Sequence, residues 1–331
     1  MTTRRRRGDN AAAARDRLRD LYRTVLLIRR SEERLAKLFA DGEVPGFIHL
    51  SIGQEAVSAG VMSALRADDT IASTHRGHGH AIAKGLPLEG FFAELLAKDE
   101  GLCRGRGGSM HVADLSIGML GANGIVGAGL SIALGSALSH QVLKRDAIAV
   151  VFFGDGALAE GLLHETFNLA KLWRLPLLLV CENNGWSEFL PAAQQLSFTL
   201  GNLAKAFGIT YRAVDGNDVV AVADATAEIV ADVRAGNGPR ILECHTTRVR
   251  GHFEGDNQKY RDPEELAGLA ANDPEVRARQ GLIELGEEAP GLDALSAEIA
   301  QRIEEAITAA RAGADPTFEA ARADVYTPVV A

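Results

Sequence analysis

Apolar residues return along this chain in two rhythms. From Leu18 they recur at Leu21, Val25, Ile28, Leu35 and Leu38, the spacing of one helix face, and predict an amphipathic helix over residues 15–39 that stops near Asp41-Gly42. Further helices are predicted over 54–65 and 87–97, with a polar stretch, 73–80, between them. The middle alternates short apolar runs with helical pattern: strands over 147–153, 176–180, 210–214 and 241–244, helices over 158–172, 200–207 and 219–235. That alternation predicts an α/β fold, a twisted parallel sheet flanked by helices. After Gly251 the chain reads as charged and irregular until Leu292, where Leu295, Ile299, Ile303 and Ile307 mark a closing helix.

Two of these strands end on polar tripeptides. The run 147–153 leads into Gly154-Asp155-Gly156, and Leu177 to Val180 leads through Cys181 into Glu182-Asn183-Asn184. The interval from Gly156 to Asn183 is 26 residues, 157 to 182, enough for one crossover helix. A carboxylate and a carboxamide thus arrive at the carboxyl edge of a parallel sheet, where ligands of such folds gather. The glycines leave room for a phosphate to approach the backbone, and the following helix points free N–H groups at it. Either tripeptide alone is the ordinary mark of a helix cap or a turn. Jointly they suit a hard divalent cation shared with a diphosphate, since magnesium takes octahedral oxygen ligands.

Composition narrows the class. With 331 residues and 47% hydrophobic content the chain can bury a large core. A net charge of −9 argues against a nucleic-acid surface, and no run is long and apolar enough to suggest a membrane span. Arg4 to Arg7 form a basic cluster, read as a flexible arm over 1–14 before a single domain over 15–331 with helical segments at both ends. Cys103, Cys181 and Cys244 are odd in number and widely spaced, which points to a reducing cytoplasm. No Gly-x-Gly-x-x-Gly follows a strand, so no dinucleotide site is expected. Gly127, Ser131 and Gly135 recur every four residues, a helix face suited to a subunit contact or to tight packing within the chain.

A GDG followed across one helix by NN resembles the thiamin diphosphate binding motif. The stretch from Gly154 to Trp186, GFIHLSIGQEA at 46–56, Thr74-His75-Arg76-Gly77-His78-Gly79, Gly107-Gly108-Ser109-Met110-His111, GANGIVG at 121–127 and Arg250-Gly251-His252 resemble the α subunit of thiamin-dependent 2-oxo acid dehydrogenases. GHFEGD at 251–256 and ENNGW at 182–186 look closest to the acetoin dehydrogenase α subunit within that group. The resemblance implies that Asp155, the Asn184 side chain and the Trp186 carbonyl hold Mg2+, and that Gly156 and Ala157 contact the diphosphate through their backbone. It further implies that Arg76 clamps the diphosphate with His75, which stands where many relatives carry Tyr, and that Gly124 and Val126 meet the aminopyrimidine. His252, which also faces the diphosphate, and then His49 are the implied catalysts; His78 is a third candidate, able to order the loop that holds Arg76. Phe253 occupies the place of the regulatory serine of mitochondrial relatives, so phosphorylation there is impossible.

The implied reaction cleaves acetoin or a 2-oxo acid such as pyruvate and passes the acyl group to the lipoyl domain of a dihydrolipoamide acyltransferase. The implied partner is a β subunit, in a tetramer of two α and two β chains, which brings the glutamate that activates the coenzyme. The α subunit of a pyruvate or branched-chain 2-oxo acid dehydrogenase, a split transketolase-like enzyme and a catalytically silent scaffold subunit are the other readings.

Overall fold

A computed structural model describes residues 2–326, with side chains from residue 11 onward. The first helix, α1 (Thr2–Ala40), begins well before residue 15, so most of the segment expected as an arm continues the helix. The helices α2 (Glu55–Met62), α3 (His78–Lys84) and α4 (Leu88–Leu95) follow, with strand β1 (Thr70–Ala72) ahead of α3. Then come β2 (Met119–Gly121), α5 (Ala128–Val142), β3 (Ala149–Gly154), α6 (Gly161–Trp173) and β4 (Leu177–Asn183). A small hairpin, β5 (Trp186–Ser187) and β6 (Leu190–Pro191), leads through α7 (Ala192–Gln195) and α8 (Leu200–Phe207) to β7 (Thr210–Asp215), α9 (Val219–Asp232) and β8 (Arg240–His245). The described chain closes with α10 (Pro263–Gly268), α11 (Pro274–Glu284), α12 (Ala289–Arg311) and α13 (Phe318–Ala323).

Six strands form one parallel sheet in the order β2-β1-β3-β4-β8-β7. Side chains alternate between its faces, so Val150, Phe152, Leu178 and Val180 join one apolar layer, whereas Val151, Phe153, Leu177 and Leu179 join the other. Both faces are buried, as a parallel sheet requires. β1 and β2 escape the sequence pattern because three residues are too few to show a period. The stretch expected to be irregular before Leu292 in fact holds α10 and α11. Each starts at an Asp cap followed by proline, Asp262-Pro263 and Asp273-Pro274, and each Asp accepts backbone N–H bonds of the first turn.

Helix α1 is pinned from within. The Arg29 guanidinium, buried, donates to Glu55 at 2.5 Å and to Asp273 at 3.1 Å, joining α1, α2 and the start of α11. The outer pairs along α1, such as Arg19 with Glu287 and Arg23 with Glu298, are exposed and contribute little.

A second buried carboxylate shapes the glycine-rich loop. Glu94 on α4 accepts backbone N–H bonds from Cys103 and Gly105 (2.7 and 2.9 Å) on one oxygen and from Gly107 and Gly108 (2.7 and 3.0 Å) on the other. The loop so held continues into Met110, which lines the central cavity. Glu94→Gln replaces one acceptor oxygen by an N–H donor facing backbone donors, and a loss of about 3 kcal/mol is expected. Limited proteolysis should then cut first within 101–108, a change readable by mass spectrometry alongside the melting midpoint.

Candidate active site

The carboxyl ends of β1, β3 and β4 frame a cavity of about 260 Å³. Its walls carry His49, Gln54, His75, Arg76, Gly124, Val126, Asp155, Gly156, Ala157, Asn184, Trp186 and His252, so of the residues expected to act here only His78 is absent from the lining. Folding brings these positions together because parallel strands deliver all their carboxyl ends to one edge.

Asp155 follows β3 and opens a 3-10 turn, Asp155–Ala159. Its Oδ2 is buried and has no hydrogen-bond partner among the described residues. Burial pushes its pKa up to about 7, against the opposing pull of backbone N–H groups at Asp155, Gly185 and Gly156 and of the Arg248 charge. An acceptor oxygen left unsatisfied in a cavity wall fits a cation ligand. Asn184 lies just past β4; its Nδ2 donates to Gln54 Oε1 at 2.9 Å and its Oδ1 accepts from Trp186 N at 3.1 Å, which turns the carboxamide toward the same edge. The neighbouring Asn183 points to the opposite face and donates to Glu243 at 2.7 Å. Gly156 is confined by Ser187, whose Oγ would lie 2.8 Å from any Cβ at that position. The donor set of carboxylate, carboxamide and carbonyl oxygen fits magnesium in kind.

Opposite these oxygens stand two buried guanidiniums. Arg76 donates to Leu50 O at 2.6 Å and to His252 O at 3.0 Å, and burial, then Arg248, lowers its pKa to about 10. Arg248 is 1% exposed; it donates to Glu188 O and to Tyr260 Oη, while its Nε has no partner among the described residues. Neither guanidinium hydrogen-bonds a carboxylate among the described residues, so both retain charge for an anion. Sequence patterning missed Arg248 because no local signal separates it from Arg250, which pairs with Glu254 at the surface. Gln54 and Glu182 were missed as well, Glu182 although it heads the Asn183-Asn184 pair. Glu182 Oε1 lies 3.2 Å from His80 Nε2, beneath the cavity.

Three imidazoles cluster between these groups. Ring centroids of His49 and His75 lie 4.8 Å apart, those of His49 and His252 5.0 Å, and those of His75 and His252 5.4 Å. Burial, then the Arg76 charge, lowers His49 to about 3 and His252 to about 4, and His75 falls well below its usual value for the same reasons. All three are neutral at pH 7, so they offer N–H donors and lone pairs rather than charge. The His252 loop is fixed by Asp256, which accepts from His252 N at 2.8 Å and from Tyr260 Oη at 2.6 Å.

His78 departs from its expected place among the catalysts. It is fully buried behind the wall, with Nδ1 3.0 Å from Glu32 and Nε2 2.8 Å from Ser109 Oγ. Glu32 also accepts from Ser51 N and Oγ. His78 therefore braces the segments on either side of Arg76 rather than reaching into the cavity, because α3 turns its side chain inward.

A parallel α/β sheet with a carboxylate, a carboxamide and two buried guanidiniums lining one cavity at its edge fits a cofactor enzyme of the thiamin diphosphate-binding type. The chain belongs to the dehydrogenase E1 component family, whose model matches residues 23–319. It is 41% identical to the α subunit of acetoin:2,6-dichlorophenolindophenol oxidoreductase of Bacillus subtilis (strain 168), over 92% of each chain. The subunit of that name from Cupriavidus necator is 42% identical, covering 96% of this chain and 97% of its own. A pyruvate dehydrogenase E1 component α subunit from Zymomonas mobilis is 37% identical across 96% of this chain and 90% of its own. The protein is thus an oxidoreductase chain of the E1 α type, and its family implies thiamin diphosphate. No described helix is long and apolar enough to cross a membrane.

Proposed function

We propose that this chain, paired with a β subunit, binds magnesium and thiamin diphosphate and cleaves acetoin, passing the two-carbon acyl group to a lipoyl domain. The observation that carries the reading is an Asp155 oxygen with no hydrogen-bond partner among the described residues, in a cavity also lined by two buried guanidiniums, Arg76 and Arg248, that bond no described carboxylate. Asp155, Asn184 Oδ1 and the Trp186 carbonyl are the ligands assigned to Mg2+; Gly156 and Ala157 supply backbone N–H groups to the diphosphate. Arg76, with His75 beside it, holds the outer phosphate, and Gly124 and Val126 offer backbone groups to the aminopyrimidine.

When bound, thiamin diphosphate supplies an electron sink for breaking a bond next to a carbonyl. The chain's own task is to orient and to stabilise charge. His49 and His252, neutral at pH 7, act first as N–H donors to an oxygen that gains negative charge, since pKa values near 3 and 4 make them weak proton acceptors. An uncharged hydroxyketone suits this neutral cluster, and two relatives above 40% identity carry acetoin in their names. Pyruvate is the second reading, supported by the Zymomonas relative.

The partner's side is suggested by exposure. Ile125 and Val126 line the cavity yet remain 72% and 48% exposed, and Ile132 on α5 is 42% exposed. A Cβ at Gly135 would meet nothing within 4 Å, so at that position the Gly127, Ser131, Gly135 face is not packed within the chain. A β chain covering this face would close the cavity, in a complex of two α and two β chains.

Calorimetry of magnesium and thiamin diphosphate binding, with and without the β chain, tests the assignment. Binding is expected with the β chain present, followed by acetoin-dependent acylation of a lipoyl domain and no comparable turnover by the α chain alone. Absence of binding in both cases would leave a scaffold subunit, and turnover of sugar phosphates without lipoamide would favour the transketolase-like alternative.

A further inference from the structure

Of the two asparagines that follow Glu182, only Asn184 lines the cavity, yet Asn183 is held at three points. Its Nδ2 donates to Glu243 Oε1 at 2.7 Å, its Oδ1 accepts from Gly185 N at 3.1 Å, and its carbonyl accepts from Thr246 N at 2.9 Å. The other oxygen of Glu243, Oε2, accepts from the Tyr211 hydroxyl. Alternation along the strands puts the three side chains on the face of the sheet that carries Cys181 and Ile241. Tyr211 lies against α8, where a Cβ at Gly201 would meet its ring at 3.2 Å.

The bridge crosses three strands, from Tyr211 on β7 through Glu243 on β8 to Asn183 on β4, and it ends at the turn that carries the assigned metal ligands. Gly185, left-handed at φ 78°, gives its N–H to Asn183 and also pulls on the Asp155 carboxylate. Asn184 and Trp186 flank it directly. Packing does not call for a carboxyl group at Glu243. The residue is 4% exposed, and its hydrogen-bond partners among the described residues are two uncharged groups. Burying a carboxyl group with no cation beside it costs more than an apolar side chain of similar size would. What the carboxyl group supplies is direction: two oxygens hold an amide on one side and a hydroxyl on the other.

We infer that Glu243 and Asn183, anchored by Tyr211, are positioning residues that hold the turn 184–186 in the shape in which Asp155, Asn184 and the Trp186 carbonyl share one magnesium ion. This rests on the magnesium assignment above and gives the first asparagine of the pair its task. None of the three side chains touches the metal. They act through Gly185, as outer groups that orient metal ligands commonly do.

Magnesium titrations of coenzyme binding to the reconstituted α–β enzyme test the bridge, together with amide exchange across 183–187 and the melting midpoint, both measured without metal. Asn183→Ala and Glu243→Leu are each expected to raise the magnesium concentration for half-maximal binding about tenfold. Both should also speed exchange at Gly185 and Trp186 before any metal is added. The double variant should lose no more than either single one, because the two residues act along one path. Glu243→Gln still accepts from Asn183 and can turn its amide toward the Tyr211 oxygen, so it should recover most of the loss. A lower melting midpoint with unchanged magnesium dependence would overturn the inference and leave the bridge to stability alone. Additive losses in the double variant would overturn it too, since Asn183 would then act independently of Glu243. Should Glu243→Leu not fold, Tyr211→Phe replaces it, with a smaller loss expected in the same direction and an unchanged magnesium dependence counting against the bridge. A wild-type enzyme that binds coenzyme without magnesium, or not at all, sinks the metal assignment beneath, whereas normal magnesium dependence in wild type and variants alike sinks this inference alone.

Discussion

Asp155→Asn is expected to stabilise the metal-free protein while abolishing its hold on the coenzyme. Between the ordinary pKa of 3.8 and the folded value of about 7, the folded chain keeps a proton that the unfolded chain has lost. Stability must therefore fall as pH rises through that window and stay low above it. A shift of roughly three units corresponds to about 4 kcal/mol at about 1.4 kcal/mol per unit. Asn removes that cost, so the variant should be more stable than wild type by about 2–4 kcal/mol at pH 8 and close to parity at pH 4. Magnesium acts in the opposite sense on wild type, since it needs the carboxylate charged. Below pH 7 it must displace the proton, and its apparent affinity is expected to drop about tenfold per pH unit. Melting curves of both proteins at the two pH values, with magnesium and coenzyme titrations at pH 6 and 8, check both parts. Wild-type coenzyme affinity in the variant would remove Asp155 from the metal site.

Arg29→Met is expected to cost about 3–5 kcal/mol, among the largest stability losses available outside the cavity. The guanidinium holds Glu55, itself 0% exposed, against Asp273 at the start of α11. Removing the cation leaves a buried carboxylate with only the Gly53 N–H at 2.9 Å on its second oxygen. Glu55 then ionises poorly, and α2 loses its staple to α1 and α11. Chemical denaturation should show a lower midpoint with an unchanged slope. The exposed pair Arg23 with Glu298 serves as control, because Arg23→Met should shift the midpoint by less than about 1 kcal/mol.

Much of the fold was legible because it rests on periodicity. The strands β3, β4, β7 and β8 read as short apolar runs and the helices between them as helical spacing, and each appears within two or three residues of its predicted place. β1 and β2, at three residues each, lack the length to show a rhythm. Helices α10 and α11 carry only short apolar faces, so the stretch read as irregular although Asp262-Pro263 and Asp273-Pro274 cap their starts. In the site, Asp155 and Asn184 could be found because each directly follows a strand in a distinctive tripeptide. Arg248 could not, since an arginine in a charged stretch becomes a buried cation only once Tyr260 and the β5–β6 turn fold over it. His78 shows the converse. Its segment matched the family, yet the turn of α3 sends the ring to Glu32 and Ser109, behind the wall.

The parallel α/β architecture, the delivery of a carboxylate and a carboxamide to one sheet edge, and the family were all readable along the chain. Those follow from local spacing, and spacing is written in the chain. Folding alone decided which charges are buried and which histidines share a cavity. Each of those depends on segments as far apart as His49 and His252 meeting in space. Desolvation, which sets the pKa of Asp155 and the neutrality of His49 and His252, exists only after that meeting excludes water.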